Sequence, residues 1–239
     1  MKYVLFDLDG TLLPMDQDAF VNGYFGYLVK KMMPHGYNPE KLIRNIWAGT
    51  AAMVKNDGSR TNEEAFWDFF ASVYGEKCRE DIRLFEEFYA VEFQQARALC
   101  SFTPHAAETV ALVRKLGATP VLATNPLFPD IATRSRIGWA GLAPEDFALY
   151  TTYENINWCK PNPEYYREIL RRLDAEPEDC LMVGNDALED TAAEQLGIEV
   201  FLLTDCVIDR GADISRWPNG DFDALDAWLR RELDKELTH

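Results

Sequence analysis

Short runs of four or five apolar residues recur along the chain, and each stops abruptly at polar residues. Tyr3-Val4-Leu5-Phe6 runs into Asp7-Leu8-Asp9-Gly10-Thr11, and Pro120-Val121-Leu122-Ala123 into Thr124-Asn125-Pro126. Cys180-Leu181-Met182-Val183 runs into Gly184-Asn185-Asp186, and Glu199-Val200-Phe201-Leu202-Leu203 into Thr204-Asp205. Ala148-Leu149-Tyr150-Thr151 offers a fifth candidate. Runs without polar alternation suit strands buried on both faces of a parallel sheet. Helical patterns separate the later runs. Thr103-Pro104 opens one that continues through Ala107, Val110, Leu112, Val113 and Leu116 to Gly117, a hydroxyl cap and proline at the start and a glycine stop at the end. Asn162-Pro163 opens another through Tyr166, Ile169, Leu170 and Leu173, and Asp186 to Leu196, closed by Gly197, predicts a third. Strand, helix, strand repeated this way means an open α/β sheet with right-handed crossovers.

Residues from about 15 to 102 follow a different rhythm. Phe20, Tyr24, Tyr27 and Leu28 fall on one helical face, and Leu42, Ile43, Ile46 and Trp47 on a second. Phe66, Trp67, Phe69 and Phe70 make a third, and Leu84, Phe85, Phe88, Val91 and Phe93 a fourth. This predicts a compact helical unit inserted after the first strand, with Asn56-Asp57-Gly58-Ser59 as an internal loop. Beyond Asp221 the spacing of Phe222, Leu225, Trp228, Leu229 and Leu233 predicts a last amphipathic helix.

Composition narrows the function. The 239 residues carry 24 Lys+Arg against 40 Asp+Glu, a formal charge of −16. Such acidity argues against a nucleic-acid binder or a protein of anionic membranes, which need a basic face. A small anionic substrate stays compatible, because a metal ion or one lysine inverts the potential locally. A hydrophobic fraction of 47% supplies a packed core. The five cysteines (Cys78, Cys100, Cys159, Cys180, Cys206) are scattered, with no C-x-x-C pair, as expected of reduced thiols in a cytoplasmic protein. The N-terminus meets acid at Asp7, too soon for a signal peptide, and no apolar stretch approaches the roughly 20 residues of a membrane span.

In open α/β sheets ligands bind beyond the carboxyl ends of the strands. The polar clusters above therefore gather Asp7, Asp9, Thr124, Asn125, Asn185 and Asp186 around one crevice. Asp7 and Asp9 leave a buried strand two residues apart, followed by a glycine able to turn tightly. One carboxylate can attack while its neighbour shuttles protons, and a hard cation such as Mg²⁺ relieves their mutual repulsion. Asp186 can complete the shell of that metal, and Asp190, one helical turn on, can support it or position a lysine. Lys160, at the stiff Lys160-Pro161-Asn162-Pro163 connection, can neutralise a phosphoryl oxygen and the aspartates together. Thr124 and Asn125 offer a hydroxyl and backbone N–H groups to the same oxyanion. The aromatic set of the helical unit (Phe20, Tyr24, Tyr27, Trp47, Phe66, Trp67) reads as core, the Lys55 to Arg60 stretch as a solvated loop, and His35, His105 and His239 form no metal-spaced cluster.

With these motifs in this order, the sequence resembles the haloacid-dehalogenase-like hydrolase superfamily. Asp7-x-Asp9-Gly10-Thr11 looks like the first motif, Thr124 the second, Lys160 the third, and Gly184-Asn185-Asp186-Ala187-Leu188-Glu189-Asp190 the acidic fourth. The resemblance implies a Rossmann-like core (residues 1–14 and 103–239) with an inserted all-helical C1 cap (15–102). It also implies Mg²⁺ dependence and an aspartyl-phosphate intermediate, with Asp7 as nucleophile and Asp9 as general acid/base. One departure stands out: many relatives carry aspartate directly after the motif-four glycine, where this chain has Asn185. Either Asp186 takes the metal by a one-residue shift, or Asn185 ligates it with Asp186 behind; the expected set is Asp7, Asp9 and Asp186, with Asn185 and Asp190 in support. Dehalogenases of the superfamily generally lack a carboxylate at the position of Asp9, so phosphoryl transfer is favoured. The expected activity is hydrolysis of a small phosphorylated metabolite. A phosphomutase with the same site, a catalytically silent binding protein and a dehalogenase are the alternatives. Cap closure is expected to hinge near Leu13-Pro14 and Phe102-Thr103.

Overall fold

The computed structural model describes residues 3–234; His239 lies outside them. Five parallel strands form one sheet in the order β2-β1-β3-β4-β5, built from β1 (Tyr3–Phe6), β2 (Thr119–Leu122), β3 (Cys180–Gly184), β4 (Glu199–Leu203) and β5 (Asn219–Gly220). Strand β1 pairs in register with both neighbours, Phe6 beside Leu122 on one side and Val183 on the other. The sheet is a Rossmann-like α/β core. Four of the predicted strands are these strands. The fifth candidate is not a full strand: Leu149 and Tyr150 run along the β2 edge, joined by the Leu122–Tyr150 bridge, and the fifth strand is instead the two-residue β5.

Unbroken apolar runs are explained by burial on both faces. Val4, Phe6, Leu122 and Val183 enter one cluster, while Leu5, Val121 and Met182 enter another. The second face is covered by α7 (Pro163–Leu173), whose Tyr165, Tyr166, Ile169 and Leu170 are buried there. Asn162 caps that helix by accepting from the Glu164 N–H, with Pro163 at its first position. The first face is covered by α5 (His105–Lys115), α6 (Asp130–Trp139) and α8 (Phe222–Asp234). The predicted helix over 186–196 is only a 3-10 turn, Thr191–Leu196. Asp186 accepts from the Leu188 and Glu189 N–H groups and Asp190 from those of Asn185 and Asp186. Aspartates that bond neighbouring amides in this way compete with the helix ladder.

Residues 15–102 are helical: α1 (Gln17–Met32), α2 (Pro39–Val54), α3 (Asn62–Tyr74) and α4 (Ile82–Ala90), with a loop between α2 and α3 and 3-10 turns at the other junctions. Their apolar cluster is continuous with the first face of the sheet; Phe93 meets Trp139 with ring centroids 5.1 Å apart. The two chain crossings lie side by side, bridged at Met15 and Cys100 and bonded from the Ser101 N–H to the Pro14 carbonyl at 2.8 Å. A second seam joins α3 to the core. Glu63 N–H donates to the Tyr153 carbonyl at 2.8 Å, Asn62 N–H to that of Ile156 at 3.1 Å, and Asn157 Nδ2 to that of Gly58 at 2.9 Å. Among the described residues, no helix is long and apolar enough to cross a membrane.

Candidate active site

The chain leaves the sheet immediately after Phe6. Asp7 N–H still donates to the Val183 carbonyl, and then Thr11 and Leu13 N–H groups both return to the Leu8 carbonyl. Leu8, Leu12 and Leu13 are fully buried and anchor this turn. Gly10 sits at φ +83°, and a Cβ there would collide with the side-chain amide of Asn185. The glycine thus lets the first and fourth motifs meet. Thr11 Oγ1 lies 3.3 Å from Asp7 Oδ2 and 3.1 Å from Asn185 Oδ1, a tie between the same two motifs.

Asp7 is 7% exposed. Its Oδ1 accepts from Lys160 Nζ at 2.9 Å, and the same ammonium donates to Asp190 Oδ1 at 2.6 Å. Burial pushes the Asp7 carboxyl above its ordinary range, Lys160 pulls it back, and Asp9 adds to the rise. Burial also works against the charge on Lys160, but Asp190 and Asp7 outweigh it and hold the amine well above the ordinary lysine value. Asp190 is pushed up to about 6, chiefly by burial and against the pull of Lys160. Gly184 makes room for it, since a Cβ there would strike the Asp190 carboxylate.

Asp9 faces a partner the sequence did not reveal. Arg136 of α6, completely buried, donates from Nη1 to Asp9 Oδ2, and its guanidinium lies 4.3 Å from the centroid of the Phe128 ring. Burial raises the Asp9 carboxyl while Arg136 lowers it. The other oxygen, Oδ1, is buried without a hydrogen-bond partner. At the end of β2 the Thr124 carbonyl is fixed by the Thr151 hydroxyl at 2.6 Å and the Tyr165 hydroxyl at 2.8 Å. Asn125 Nδ2 donates to Glu189 Oε2 at 2.8 Å, leaving Asn125 Oδ1 buried and unpartnered. Burial raises Glu189 to about 7.

One cavity of about 1070 Å³ opens between the strand ends and the helical unit. Asp7, Asp9, Thr124, Asn125, Asn185, Asp186 and Asp190 line it, so the structure brings together the residues expected at the crevice. Lys160 stands behind the wall, 1% exposed, and meets the aspartates as expected, donating to Asp7 and Asp190. Asp186 is not a free metal ligand: Arg210 grips both of its oxygens, at 2.6 Å and 3.1 Å, while two backbone amides hold Oδ1. These bonds keep its carboxyl below the usual range despite burial. Among the described residues, no three Asp, Glu, His or Cys side chains converge as a ready metal-ligand set.

The remaining candidates lie elsewhere. Arg60 pairs with Asp68, and neither it nor Lys55 lines the cavity. His105 stacks on Phe222 and bonds Glu108, and His35 lies in an outer 3-10 turn. Phe66, Trp67 and Tyr24 are buried as expected of core, but they border the cavity, and Trp47 stays 52% exposed along it.

The fold is an α/β core with a cavity at the strand ends. The sequence matches the haloacid dehalogenase-like hydrolase family over residues 1–197, and the chain belongs to that family. It is 24% identical to the pyrophosphatase PpaX of Bacillus cereus over 194 residues, 81% of this chain and 79% of the relative. Among solved structures it is similar to a 2-haloacid dehalogenase from Pseudomonas syringae (TM-score 0.61, 22% identity, 97% and 99% of the two chains). It is also similar to a HAD phosphatase from Thermococcus onnurineus (TM-score 0.57, 20% identity, 98% of both).

Proposed function

We propose that this hydrolase cleaves phosphomonoesters through an aspartyl-phosphate on Asp7, inside a cytoplasmic protein whose helical residues 15–102 serve as the cap. One observation carries the reading. Asp7 is held at the cavity edge by Lys160 and Thr11, while Asp9, two residues on, keeps one buried oxygen unpaired. The Asp7 carboxylate attacks phosphorus in line with the departing alcohol, and a new carboxyl–phosphorus bond replaces the ester bond. Asp9 donates its proton to the leaving oxygen, then takes one from the water that cleaves the acyl phosphate. Arg136 fixes Asp9 through Oδ2, so that Oδ1 faces the reaction. Lys160 offsets the negative charge gathered at Asp7 and Asp190. Thr124 and Asn125 border the phosphoryl position.

The donor set fits Mg²⁺. Every candidate ligand is an oxygen, as a hard cation requires, and Asp7 Oδ2 and Asn185 Oδ1 converge on the Thr11 hydroxyl. Asp7 and Asn185 would hold the ion, while Asp9 Oδ1 is left to the proton. Asn185 is favoured over Asp186 because its Oδ1 bonds only Thr11, beside Asp7, whereas both Asp186 oxygens are engaged by Arg210. When bound, the ion supplies positive charge to the phosphoryl oxygens.

Purified protein with Mg²⁺ should release inorganic phosphate in step with ester loss. EDTA should lower the rate by about 100-fold or more, reversibly on adding Mg²⁺. Ester consumption with isomerised phosphate product and no inorganic phosphate would instead mark a mutase. Halide release from a 2-haloacid, with no phosphate release, would mark a dehalogenase.

A further inference from the structure

We infer that the cavity selects phosphomonoesters whose leaving alcohol carries a flat, uncharged ring of about nucleoside size, and disfavours leaving groups that bear a second anion. The inference rests on the phosphatase reading and deepens it.

The wall facing the catalytic aspartates belongs to α1, α2, α3 and α4. Its charged members are Asp16, Asp18 and Glu86, and among the described residues that line it there is no Lys, Arg or His. On the core side the lining carries one basic residue, Arg210, already paired with Asp186. A carboxylate or second phosphate on the leaving group would therefore enter a cavity with no free counter-charge in its lining, and with three carboxylates on the facing wall. Taking an anion from water without a partner is costly.

What the wall offers instead is aromatic surface. Phe25, Trp47, Phe66, Trp67 and Tyr89 border the cavity. Trp47 lines the cavity and is 52% exposed, with the Phe25 ring 5.6 Å away. The hydroxyls of Tyr24 and Tyr89 bond each other at 3.0 Å, so their polar ends are satisfied. Rings stack against such faces through burial and quadrupole complementarity. The volume of about 1070 Å³ far exceeds what a two- or three-carbon phosphate fills.

The test uses full-length protein with Mg²⁺ and measures kcat/KM for adenosine monophosphate, benzyl phosphate, glycerol phosphate, phosphoglycolate and pyrophosphate, with Asp7→Asn as the blank. The two ring-bearing esters should exceed phosphoglycolate and pyrophosphate by about tenfold or more. Trp47→Ala should reduce the preference for benzyl over glycerol phosphate by about fivefold to tenfold, through KM rather than kcat. Thr50→Arg, which adds a cation to the same wall, should raise phosphoglycolate relative to benzyl phosphate. Asp7-dependent hydrolysis that favours phosphoglycolate or pyrophosphate, or a preference unmoved by Trp47→Ala, overturns the inference and leaves the phosphatase reading standing. Absence of Asp7-dependent hydrolysis from every ester overturns both.

Discussion

Asp7→Asn is expected to lower kcat by about 10⁴-fold or more while leaving the protein folded. The substitution keeps the shape of the side chain and removes the electron pair that attacks phosphorus. No neighbour can take over. Asp190 is turned to Lys160 and to two backbone amides, and Asp9 is tied to Arg136. Stability should hold or rise, because burial raises the Asp7 carboxyl and its ionised form is costly to the folded state at neutral pH. Lys160 would keep Asp190 as its counter-charge. Steady-state kinetics and thermal melting in EDTA check the two halves of the expectation. A parallel fall in activity and melting temperature would mean that Asp7 serves mainly structure.

Lys160→Met should be damaging in both respects. It leaves Asp7 and Asp190, both buried, without the one ammonium they share. Breaking a buried ion pair from one side costs about 3–5 kcal/mol of unfolding free energy. Loss of the charge that offsets the phosphorylated aspartate should lower kcat by about 10²–10³-fold. The double variant Lys160→Met/Asp190→Asn separates the effects. Removing one of the stranded carboxylates should restore much of the stability and little of the activity, a non-additive outcome expected of residues in one network. Urea unfolding and phosphate-release assays on the three variants provide the measurement. Equal recovery of both quantities would make Lys160 a structural residue only.

Much of this arrangement was legible in the sequence because strand ends are local signals. The apolar runs fix where β1, β2, β3 and β4 stop, and a parallel sheet brings their carboxyl ends to one edge, so Asp7, Thr124 and Asn185 meet without knowledge of any side-chain contact. Lys160 was legible for the same reason, since Asn162-Pro163 marks the start of α7 just beyond it. Arg136 left no such trace. It lies 127 residues from Asp9 in the chain, and one of two arginines within the α6 segment Asp130–Trp139 reads as an exposed side chain. Arg210 escaped in the same way, and with it the capture of Asp186. The 186–190 segment had helical spacing, but its aspartates bond backbone amides, a choice of partner that periodicity does not record. Aromatic stripes at helical spacing indicate core, which holds for Phe20 and Phe70. Trp47 differs because α2 leaves it beside the cavity rather than inside the cluster, a distinction that depends on how helices from distant segments pack.

The central claim is that the Asp7 carboxylate carries the phosphoryl group during turnover. Rapid quenching with ester and Mg²⁺ present, followed by borohydride reduction and peptide mass spectrometry, tests it directly, since borohydride converts an acyl phosphate of aspartate into homoserine. Homoserine at position 7, formed only with substrate and absent from Asp7→Asn, is the predicted result. Homoserine at another aspartate, or none while phosphate is released at the full rate, would contradict the account.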